Sequence, residues 1–513
     1  MEGLAAPLKT PKISESPLLV PVHWCGDHYR VLDETLLPEQ VSYLEIESLD
    51  QALAAVKEMK TRAFGQVLTI LHAVALFAHG SQEKDFTRLK QQIVELGERF
   101  SAARSTFDFA GLVHLLFQHI GVPAAGTDIG PWLQAKTLGF VTAIVQARNE
   151  RARLAAALLP ARCRLLTHCN ISGELVAVAQ HCRSLGKDIS VVATETRPYF
   201  QGARLTAWEL SQAGVRVQVV PDAACAQVMA DGAVDAVLVG ADRSAQNGDI
   251  VNKVGTYSVA VAAHAYGVPF YALVQEPGSL ANGGDAPIEE RPVQELLTFQ
   301  GSALAPAGVE GSYPAFDVTP AELIARLIGF DEVFTPAEYR RKYQKLAVEP
   351  ARAAQTEKSF VLLYGVPRED NYPRLASVLT AERAQTFLVP EMRPGLWGAQ
   401  VVAHKLLEAR LPITIVSDNM MGIFFARGQI RRVFLFGSEG NGSELKGICG
   451  LLLAALLARA HNVPIEVRAA APETSAALDR DVTTFLGHRL CPRGVEAYPI
   501  GPDIVPRTLL CER

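Results

Sequence analysis

The sequence predicts an α/β protein, and three observations lead to this fold class. From about Gly130 onward, short apolar runs alternate with segments whose apolar residues recur at helical spacing. The apolar runs are continuous, as expected of strands that are covered on both faces. The last third of the chain repeats residues of the middle third at a fixed spacing. We therefore predict a small, mainly helical N-terminal domain, then a Rossmann-like parallel-sheet domain, and finally a second, degenerate Rossmann-like copy.

The composition is that of an ordinary folded protein. The 513 residues are 49% hydrophobic and 20% charged, with a formal net charge of −5, so nothing in this balance attracts nucleic acid or anionic lipid. The longest apolar run, residues 448–458, is too short to cross a bilayer, and the first residues lack the apolar segment of a signal peptide. The eight cysteines form no CxxC pair. We expect reduced thiols, no metal site and a cytoplasmic protein.

The N-terminal domain is predicted over residues 18–125. After a short β segment, apolar residues recur at helical spacing in residues 53–59, 67–77 and 109–120. Residues 1–17 are rich in proline and serine, and we expect them to be loose.

The parallel-sheet domain is predicted over residues 126–335. A long helix over residues 133–159 leads into the apolar run before Cys169, and helices and apolar runs then alternate up to residue 274. Such alternation indicates βαβ units and a parallel sheet. Residues 252–266 are predicted as one helix, which Asn252 and Lys253 open. The charged residues 336–358 break the pattern and are predicted to be a linker.

Residues 359–513 are predicted to be a degenerate repeat of this domain. Five residues of the middle third recur 196 positions later: Glu195, Arg197, Pro198, Gly202 and Ala203 return as Glu391, Arg393, Pro394, Gly398 and Ala399. Helix packing alone would not keep these identities at a constant spacing, so we interpret them as an internal duplication.

The second copy lacks the chemically reactive residues of the first. In the sequence alignment Cys169 lies opposite Val366, Asp242 lies opposite Glu439, and Lys253 has no clear counterpart. Structural residues are kept while the thiol is lost. This pattern is expected if only the first copy holds a reactive site.

Polar residues follow three successive apolar runs of the first copy, at Cys169-Asn170, Glu195–Arg197 and Asp242-Arg243. Ligands of an open parallel sheet bind at the carboxyl ends of its strands, so these groups are predicted to meet there. A thiol beside a carboxylate suits proton transfer at a substrate carbon and a neighbouring oxygen. Taken alone, Cys169 could be a small buried hydrophobe and Asp242 a helix cap.

A possible anion site follows Asp242. Asn247-Gly248 predicts a turn, and the amides of a helix opened by Asn252, together with Lys253, suit a ligand such as a phosphate. The alternative is a turn and a capped helix whose lysine is merely solvated.

Several strings together resemble one known family. LTHCN, ETRPYFQGARLTAWEL, GADRSAQNGDIVNKVGTYSVAVAAHAYGVPF, PIEER and YPAFDVTPAEL are similar to methylthioribose-1-phosphate isomerase, over about residues 20–335. The wider group includes ribose-1,5-bisphosphate isomerase and the alpha, beta and delta regulatory subunits of the translation-initiation exchange factor. The arginine after GAD and the following NGD favour the methylthioribose branch.

The resemblance implies an aldose–ketose isomerase, an intramolecular oxidoreductase of methionine salvage. It would convert 5-methylthioribose 1-phosphate to 5-methylthioribulose 1-phosphate with no metal or organic cofactor. Cys169 and Asp242 would be the catalytic residues, with Asp242 as the proton donor. The positions implied to contact substrate are Gln201, Asn252, Lys253, Arg62, Ala63, Phe64 and Arg104.

Three departures from the family pattern concern substrate identity. Residues 62–66, RAFGQ, stand where the family has RGAPAIG, and Arg104-Ser105-Thr106 stands where it has RPT. The string CNISG, residues 169–173, is one residue longer than the family's usual CNxG and looks more like the ribose-bisphosphate branch. An isomerase of another phosphosugar, such as ribose 1,5-bisphosphate, therefore stays open. So does a non-catalytic regulatory or nucleotide-sensing protein like the exchange-factor subunits.

The resemblance also carries an expectation about partners. Family members pair through their C-terminal α/β domains, so we expect either a homodimer or an internal pseudo-dimer in which the second copy takes the partner's place. The other expected partner is a small phosphosugar, with no nucleic acid and no membrane.

Overall fold

The structure, a computed structural model, describes residues 16–104, 107–344, 358–440, 444–472 and 481–510. Among these residues, no helix is long and apolar enough to cross a membrane. The chain divides into two compact units. The first consists of the described residues up to Leu158 together with Ile171–Leu185 and Glu209–Val215, and the second holds the remainder. The predicted division into four segments remains a prediction.

The first unit is mainly helical, which confirms that part of the predicted fold class. A three-stranded antiparallel sheet precedes a set of helices. The elements are β1 Val22–Trp24, β2 Tyr29–Leu32, β3 Tyr43–Ile46, α1 Leu49–Lys57, α2 Phe64–Gly80, α3 Phe86–Ala103, α4 Phe109–Ile120, α5 Ile129–Leu158 and α6 Glu174–Ser184. The helix expected over residues 109–120 has those bounds, whereas α2 and α5 begin before the residues predicted to open them.

Local sequence signals fix where these helices begin. Ser48 and Gln51 form a capping box at α1, and the Asp85 carboxylate accepts two backbone N–H groups at the start of α3. Asp108 accepts the N–H of Gly111 at the start of α4. Apolar faces of the helices then bury a common core that includes Phe100.

The second unit begins with a parallel sheet. Its elements up to residue 343, where α7 belongs to the first unit from Glu209 onward, are β4 Arg162–Thr167, β5 Asp188–Thr194, α7 Ala207–Gln212, β6 Arg216–Val220, α8 Cys225–Ala230, β7 Ala236–Gly240, β8 Arg243–Ser244, β9 Ile250–Lys253, α9 Thr256–Ala265, β10 Phe270–Leu273, α10 Gln294–Leu297, β11 Thr298–Phe299, β12 Ser302–Ala303, β13 Glu310–Gly311, β14 Phe316–Thr319, β15 Arg326–Ile328, β16 Val333–Phe334 and α11 Pro336–Tyr343. The strand order is β16-β15-β10-β7-β4-β5-β6, and only β16 runs antiparallel to its neighbour. The predicted Rossmann-like parallel sheet is confirmed.

The later part of this unit forms a second, mainly parallel sheet. Its elements are β17 Phe360–Tyr364, α12 Tyr372–Ala381, β18 Thr386–Pro390, α13 Ala403–Glu408, β19 Ile413–Val416, α14 Met421–Ala426, β20 Ile430–Glu439, β21 Glu444–Gly447, α15 Leu451–Ala460, β22 Ile465–Ala469, β23 Thr484–Phe485, β24 His488–Arg489, β25 Glu496–Ala497, β26 Asp503–Pro506 and α16 Arg507–Leu510. The strands β22-β20-β17-β18-β19 follow the order of β10-β7-β4-β5-β6 in the first sheet.

The two sheets exchange one short strand each. We call the residues of this unit before position 345 the first segment and those from position 358 onward the second segment. Strand β25 from the second segment pairs with β6 of the first sheet, and β13 from the first segment pairs with β19 of the second sheet. Both pairings are parallel. Each sheet is therefore extended by a strand from the other segment.

Strand register relates the two segments residue by residue. Leu166 pairs with Val192 between β4 and β5, and Leu362 pairs with Leu388 between β17 and β18, so both partners shift by 196 positions. This register places Gly365, not Val366, opposite Cys169. The alignment of Cys169 with Val366 is therefore wrong by one residue, because no identical residues align the two sequences at the ends of β4 and β17.

The segment predicted as a linker begins with regular structure. Pro336–Tyr343 is the helix α11, whose Tyr339 is buried against Phe334 at a ring-centroid distance of 5.4 Å. Residues 345–357 lie outside the described residues.

Candidate active site

Cys169 lies just beyond the carboxyl end of β4 in a backbone conformation that few non-glycine residues adopt. Its φ is +70°, and two threonines hold its backbone. The Cys169 N–H donates to Thr196 Oγ1 at 2.9 Å, and the Cys169 carbonyl accepts from Thr206 Oγ1 at 2.8 Å. The thiol residue is half-buried. Because strained backbone persists only where its surroundings impose it, these bonds fix the direction of the Cys169 side chain.

The two threonines are themselves held in place. The Thr196 N–H donates to Asp222 Oδ1 at 2.7 Å. Thr206 ends a π-helical turn, Gly202–Thr206, and its hydroxyl also accepts from Asn170 Nδ2 at 3.0 Å. Such turns are frequent at functional sites. Neither threonine was predicted from the sequence to have a role, although both lie within the string ETRPYFQGARLTAWEL.

His168 connects the strand before Cys169 to the segment after Lys253. The imidazole is fully buried, and burial lowers its pKa to about 4, so the ring is neutral at pH 7. Nε2 lies 2.9 Å from the Val254 carbonyl, which can only accept, and Nδ1 lies 2.7 Å from Thr194 Oγ1. The single N–H of the neutral ring is therefore on Nε2.

Asp242 follows the neighbouring strand. β7 lies beside β4 in parallel, and Asp242 comes two residues after Gly240 as Cys169 comes two residues after Thr167. The Asp242 N–H donates to the Val251 carbonyl at 2.9 Å. The predicted thiol and carboxyl thus lie beyond the carboxyl ends of adjacent strands of one sheet.

Asn252 and Lys253 do not open a helix, so that prediction is wrong. Both belong to β9, which pairs with β14, and the helix α9 starts at Thr256. The break is Gly255, whose φ of +109° suits glycine. The Asn252 amide donates to Thr256 Oγ1 at 3.0 Å, and Lys253 Nζ lies 4.8 Å from the centre of the Phe316 ring.

Asp317 is a buried carboxyl that sequence reasoning missed. Its Oδ2 accepts the Gly255 N–H at 2.6 Å and the Tyr257 N–H at 3.2 Å, so it caps α9 directly after Lys253. Burial raises its pKa to about 8. In the sequence, Asp317 is visible only as the aspartate of the string YPAFDVT. The periodicity of a strand does not predict that this aspartate contacts Gly255.

Gln201 is buried and directly precedes the π-helical turn. Its side-chain Oε1 accepts no hydrogen bond from the described residues. A buried polar atom without a partner costs free energy, and a binding site for a polar ligand is one explanation.

Four further predicted residues belong to the first unit. Ala63 has φ +39° and caps α2, and Phe64 begins that helix with its ring 3.8 Å from the Arg148 guanidinium carbon. The Arg62 N–H donates to Glu34 Oε1 at 2.9 Å. Arg104 ends α3, and its side chain contacts Met59 Sδ. Ser105 and Thr106 lie outside the described residues.

The second segment carries different residues at the corresponding positions. Register places Gly365 at the position of Cys169 and Tyr364 at that of His168. The Tyr364 hydroxyl donates to the Cys449 carbonyl at 2.8 Å, as His168 contacts Val254. Gly450 precedes α15 with φ +95°, as Gly255 precedes α9, which places Ile448 opposite Lys253. The second segment therefore has no thiol at the position of Cys169 and no cation at the position of Lys253.

These features define a class of protein: an α/β chain with two mainly parallel sheets, one of which carries a thiol and a carboxyl beyond its strand ends, with a lysine on a short separate sheet that the His168–Val254 hydrogen bond ties to the thiol's strand. No group of three or more histidine, cysteine or acidic residues suited to a metal ion occurs within the described ranges.

A comparison with protein-family models identifies the family of this chain. The model of the initiation factor 2 subunit family matches residues 63–330 and again residues 349–485, so the chain belongs to that family.

Curated relatives and solved structures agree with this assignment. A protein of Desulforudis audaxviator named methylthioribose-1-phosphate isomerase is 38% identical over 337 residues, which cover 61% of this chain and 94% of that protein. One of Anaeromyxobacter sp. strain K with the same name is 36% identical, over 59% of this chain and 89% of its own. The 5-methylthioribose 1-phosphate isomerase structure from Pyrococcus horikoshii has a TM-score of 0.57 at 30% identity, covering 67% of this chain and 99% of that one. The delta subunit of initiation factor eIF-2B from A. fulgidus has a TM-score of 0.53 at 29% identity, covering 62% and 96%.

Proposed function

We propose that this protein is an aldose–ketose isomerase that converts 5-methylthioribose 1-phosphate to 5-methylthioribulose 1-phosphate. The observation that carries the proposal is the juxtaposition of Cys169 and Asp242 beyond adjacent strand ends. The names of the relatives supply the reaction, since they match this chain over most of their own length. We assign the reaction to methionine salvage and expect it in the cytoplasm.

The proposed chemistry divides between the two residues. The Cys169 thiolate takes the hydrogen at C2 as a proton and returns it to C1. Asp242 donates a proton to the ring oxygen as the C1–O bond breaks, and regains one from the C2 hydroxyl as the carbonyl forms. Each proton removed is thus replaced, and substrate and product have the same composition.

Neighbouring residues would bind the sugar phosphate. Gln201 Oε1, which is buried without a hydrogen bond, suits a substrate hydroxyl. The Lys253 ammonium suits an anionic oxygen, and Asn252 lies next to it on β9. A phosphate-binding role for Arg62, Ala63, Phe64 and Arg104 remains a prediction from the family resemblance.

The experiment is a ketose-formation assay with 5-methylthioribose 1-phosphate. We expect Cys169→Ala to lose most turnover while keeping its fold, since one small half-buried side chain replaces another. Asp242→Asn keeps the size but removes the titrating proton, so kcat should fall about 10²-fold or more with little change in substrate affinity. Cys25→Ala is the matched control because Cys25 is also a half-buried thiol and lies in the first unit.

The outcomes separate the alternatives. A well-folded, active Cys169→Ala variant would remove that thiol from the mechanism. Solvent deuterium at C1 of the product would establish proton transfer, because a hydride that moves from C2 to C1 does not exchange with water. If the protein shows no turnover and binds neither 5-methylthioribose 1-phosphate nor other phosphate esters, the regulatory alternative is favoured.

A second substrate is favoured by one observation, the long loop after Cys169. The string CNISG at residues 169–173 is one residue longer than the usual CNxG of the family, and Ser172 within it has φ +46°. The same assay should therefore include ribose 1,5-bisphosphate. A higher kcat/KM for this compound would assign the protein to that reaction.

We further propose that the second segment arose by internal duplication and takes the place of a partner subunit, so that the chain is a pseudo-dimer. Four buried charges support this. The Arg197 guanidinium donates to both carboxylate oxygens of Glu391 at 2.7 Å, and that of Arg393 donates to Glu195 at 2.7 and 3.0 Å. Equivalent residues therefore exchange partners reciprocally, as in a twofold interface.

Light scattering tests this proposal. We expect the mass of one chain, 55.4 kDa, across the micromolar range. A tight dimer that survives deletion of the second segment would contradict it.

A further inference from the structure

Asn419 reaches from the second segment into the first. It follows β19 and is fully buried. Its Nδ2 donates to the Arg197 carbonyl at 2.9 Å and to the Val254 carbonyl at 3.2 Å, while its Oδ1 accepts from Ser417 Oγ at 2.6 Å. The two carbonyls can only accept hydrogen bonds, so they determine which end of the amide faces them.

The Val254 carbonyl is the point where Asn419 meets the candidate site. It also receives the His168 Nε2 hydrogen bond at 2.9 Å. His168 directly precedes Cys169, and Val254 directly follows Lys253. Asn419 and His168 therefore both donate to the Val254 carbonyl, which links the backbone next to Cys169 with the backbone next to Lys253.

The residue after this carbonyl, Gly255, is closely packed. A Cβ atom on Gly255 would lie 2.7 Å from His168 Cε1 and 2.8 Å from Asn419 Cβ. The turn from β9 into α9 is thus enclosed by one residue from each segment. Loss of the Asn419 amide would leave a buried carbonyl with one donor instead of two.

The reciprocal position is not equivalent. The residue 196 positions before Asn419 is Ala223, and it faces Gly450 of the second segment, where a Cβ would lie 2.8 Å from the Ala223 Cβ. There the Cys449 carbonyl is bonded by the Tyr364 hydroxyl, and Ala223 has no amide to add. The asparagine is present only opposite the segment that keeps the thiol.

We infer that Asn419 is a positioning residue through which the second segment completes the isomerase site of the first. This inference rests on the proposed function of Cys169. Asn419 acts through Val254 and His168, and it fixes Cys169 and Lys253 relative to each other. The second segment thereby contributes to turnover as well as to stability.

The test compares Asn419→Ala with Tyr364→Phe. Alanine at 419 is tolerated by the backbone, because Ala223 occupies the corresponding position of the other segment. Tyr364→Phe removes the corresponding carbonyl hydrogen bond on the side without a thiol. Isomerase kcat and KM are measured on the full chain, together with the iodoacetamide modification rate of Cys169 by peptide mass spectrometry and the thermal midpoint.

For Asn419→Ala we expect kcat to fall about tenfold with KM changed less than about threefold, and the Cys169 modification rate to change severalfold. Tyr364→Phe should alter the thermal midpoint and neither of the other two. Equal effects of both variants on kcat and modification rate, or no effect of Asn419→Ala on either, would overturn the inference. If the wild-type protein shows no isomerase turnover, the proposed function is wrong. The iodoacetamide modification rate of Cys169 then decides alone whether Asn419 positions that residue.

Discussion

At the scale of single residues, three side chains hold the backbone around Cys169. Thr196 and Thr206 bond its backbone N–H and carbonyl, and His168 ties the preceding residue to Val254. All three side chains satisfy buried polar atoms, so each contributes to stability and to geometry at once.

His168 predicts how stability depends on pH. Burial lowers its pKa from 6.5 to about 4, so the unfolded chain binds a proton between these values and the folded chain does not. The stabilising contribution is complete above pH 6.5 and is lost as the pH falls toward 4, by about 3 kcal/mol in total. Chemical denaturation at pH 7 and pH 4.5 measures this loss.

The control for this measurement is His168→Gln, which cannot titrate. His72 of the first unit has a similarly lowered pKa of about 4, so the variant should lose roughly half of the histidine contribution to the pH dependence. An unchanged pH dependence in this variant would show that His168 is not buried as a neutral ring.

At the scale of elements, the π-helical turns Gly202–Thr206 and Gly398–Val402 shape the two strand ends alike. A Cβ on Gly202 would lie 1.8 Å from the Thr194 carbonyl oxygen, and one on Gly398 would lie 1.8 Å from the Pro390 carbonyl oxygen. Only glycine permits this close approach. Thr206, at the end of the first turn, is bonded to Cys169.

These turns give a matched pair of variants. Gly202→Ala and Gly398→Ala should each lower the free energy of unfolding by about 2 kcal/mol or more, because the backbone must shift in both. Only Gly202→Ala should also lower turnover per folded molecule, since only that turn holds the thiol residue. Urea denaturation and the isomerase assay measure the two effects. If both variants lost the same fraction of their activity, the turn Gly202–Thr206 would have no specific role at the site.

The elements also show how far sequence reasoning reaches. Apolar periodicity predicts α1, α2, α4 and α5 of the first unit and the alternation of the parallel sheet, and the predicted helix over residues 109–120 has those bounds. The helix α3 was not predicted. Asn252 and Lys253 were misassigned because β9 is only four residues long and Gly255, not a polar cap, separates it from α9. The roles of Thr206, Asp317 and Asn419 depend on contacts between distant parts of the chain, which spacing does not encode.

At the scale of the whole molecule, reciprocity between the two segments is the dominant feature. Strands β13 and β25 are exchanged, and the Arg197–Glu391 and Arg393–Glu195 pairs are exchanged with them. The second segment keeps these structural residues and lacks the thiol. We therefore expect its sequence to be constrained by packing and by Asn419 rather than by any chemistry of its own.

The reciprocal ion pairs predict a coupling between the segments. Arg197→Met should cost about 3–5 kcal/mol of unfolding free energy, because it leaves the buried Glu391 carboxylate without its cation. Arg197→Met combined with Glu391→Leu should recover much of that loss, since no unpaired charge remains. Denaturation of the single and double variants gives the coupling energy. Additive effects would mean that the two residues do not interact in solution, whereas a coupling above about 1 kcal/mol would place both segments in one cooperative core.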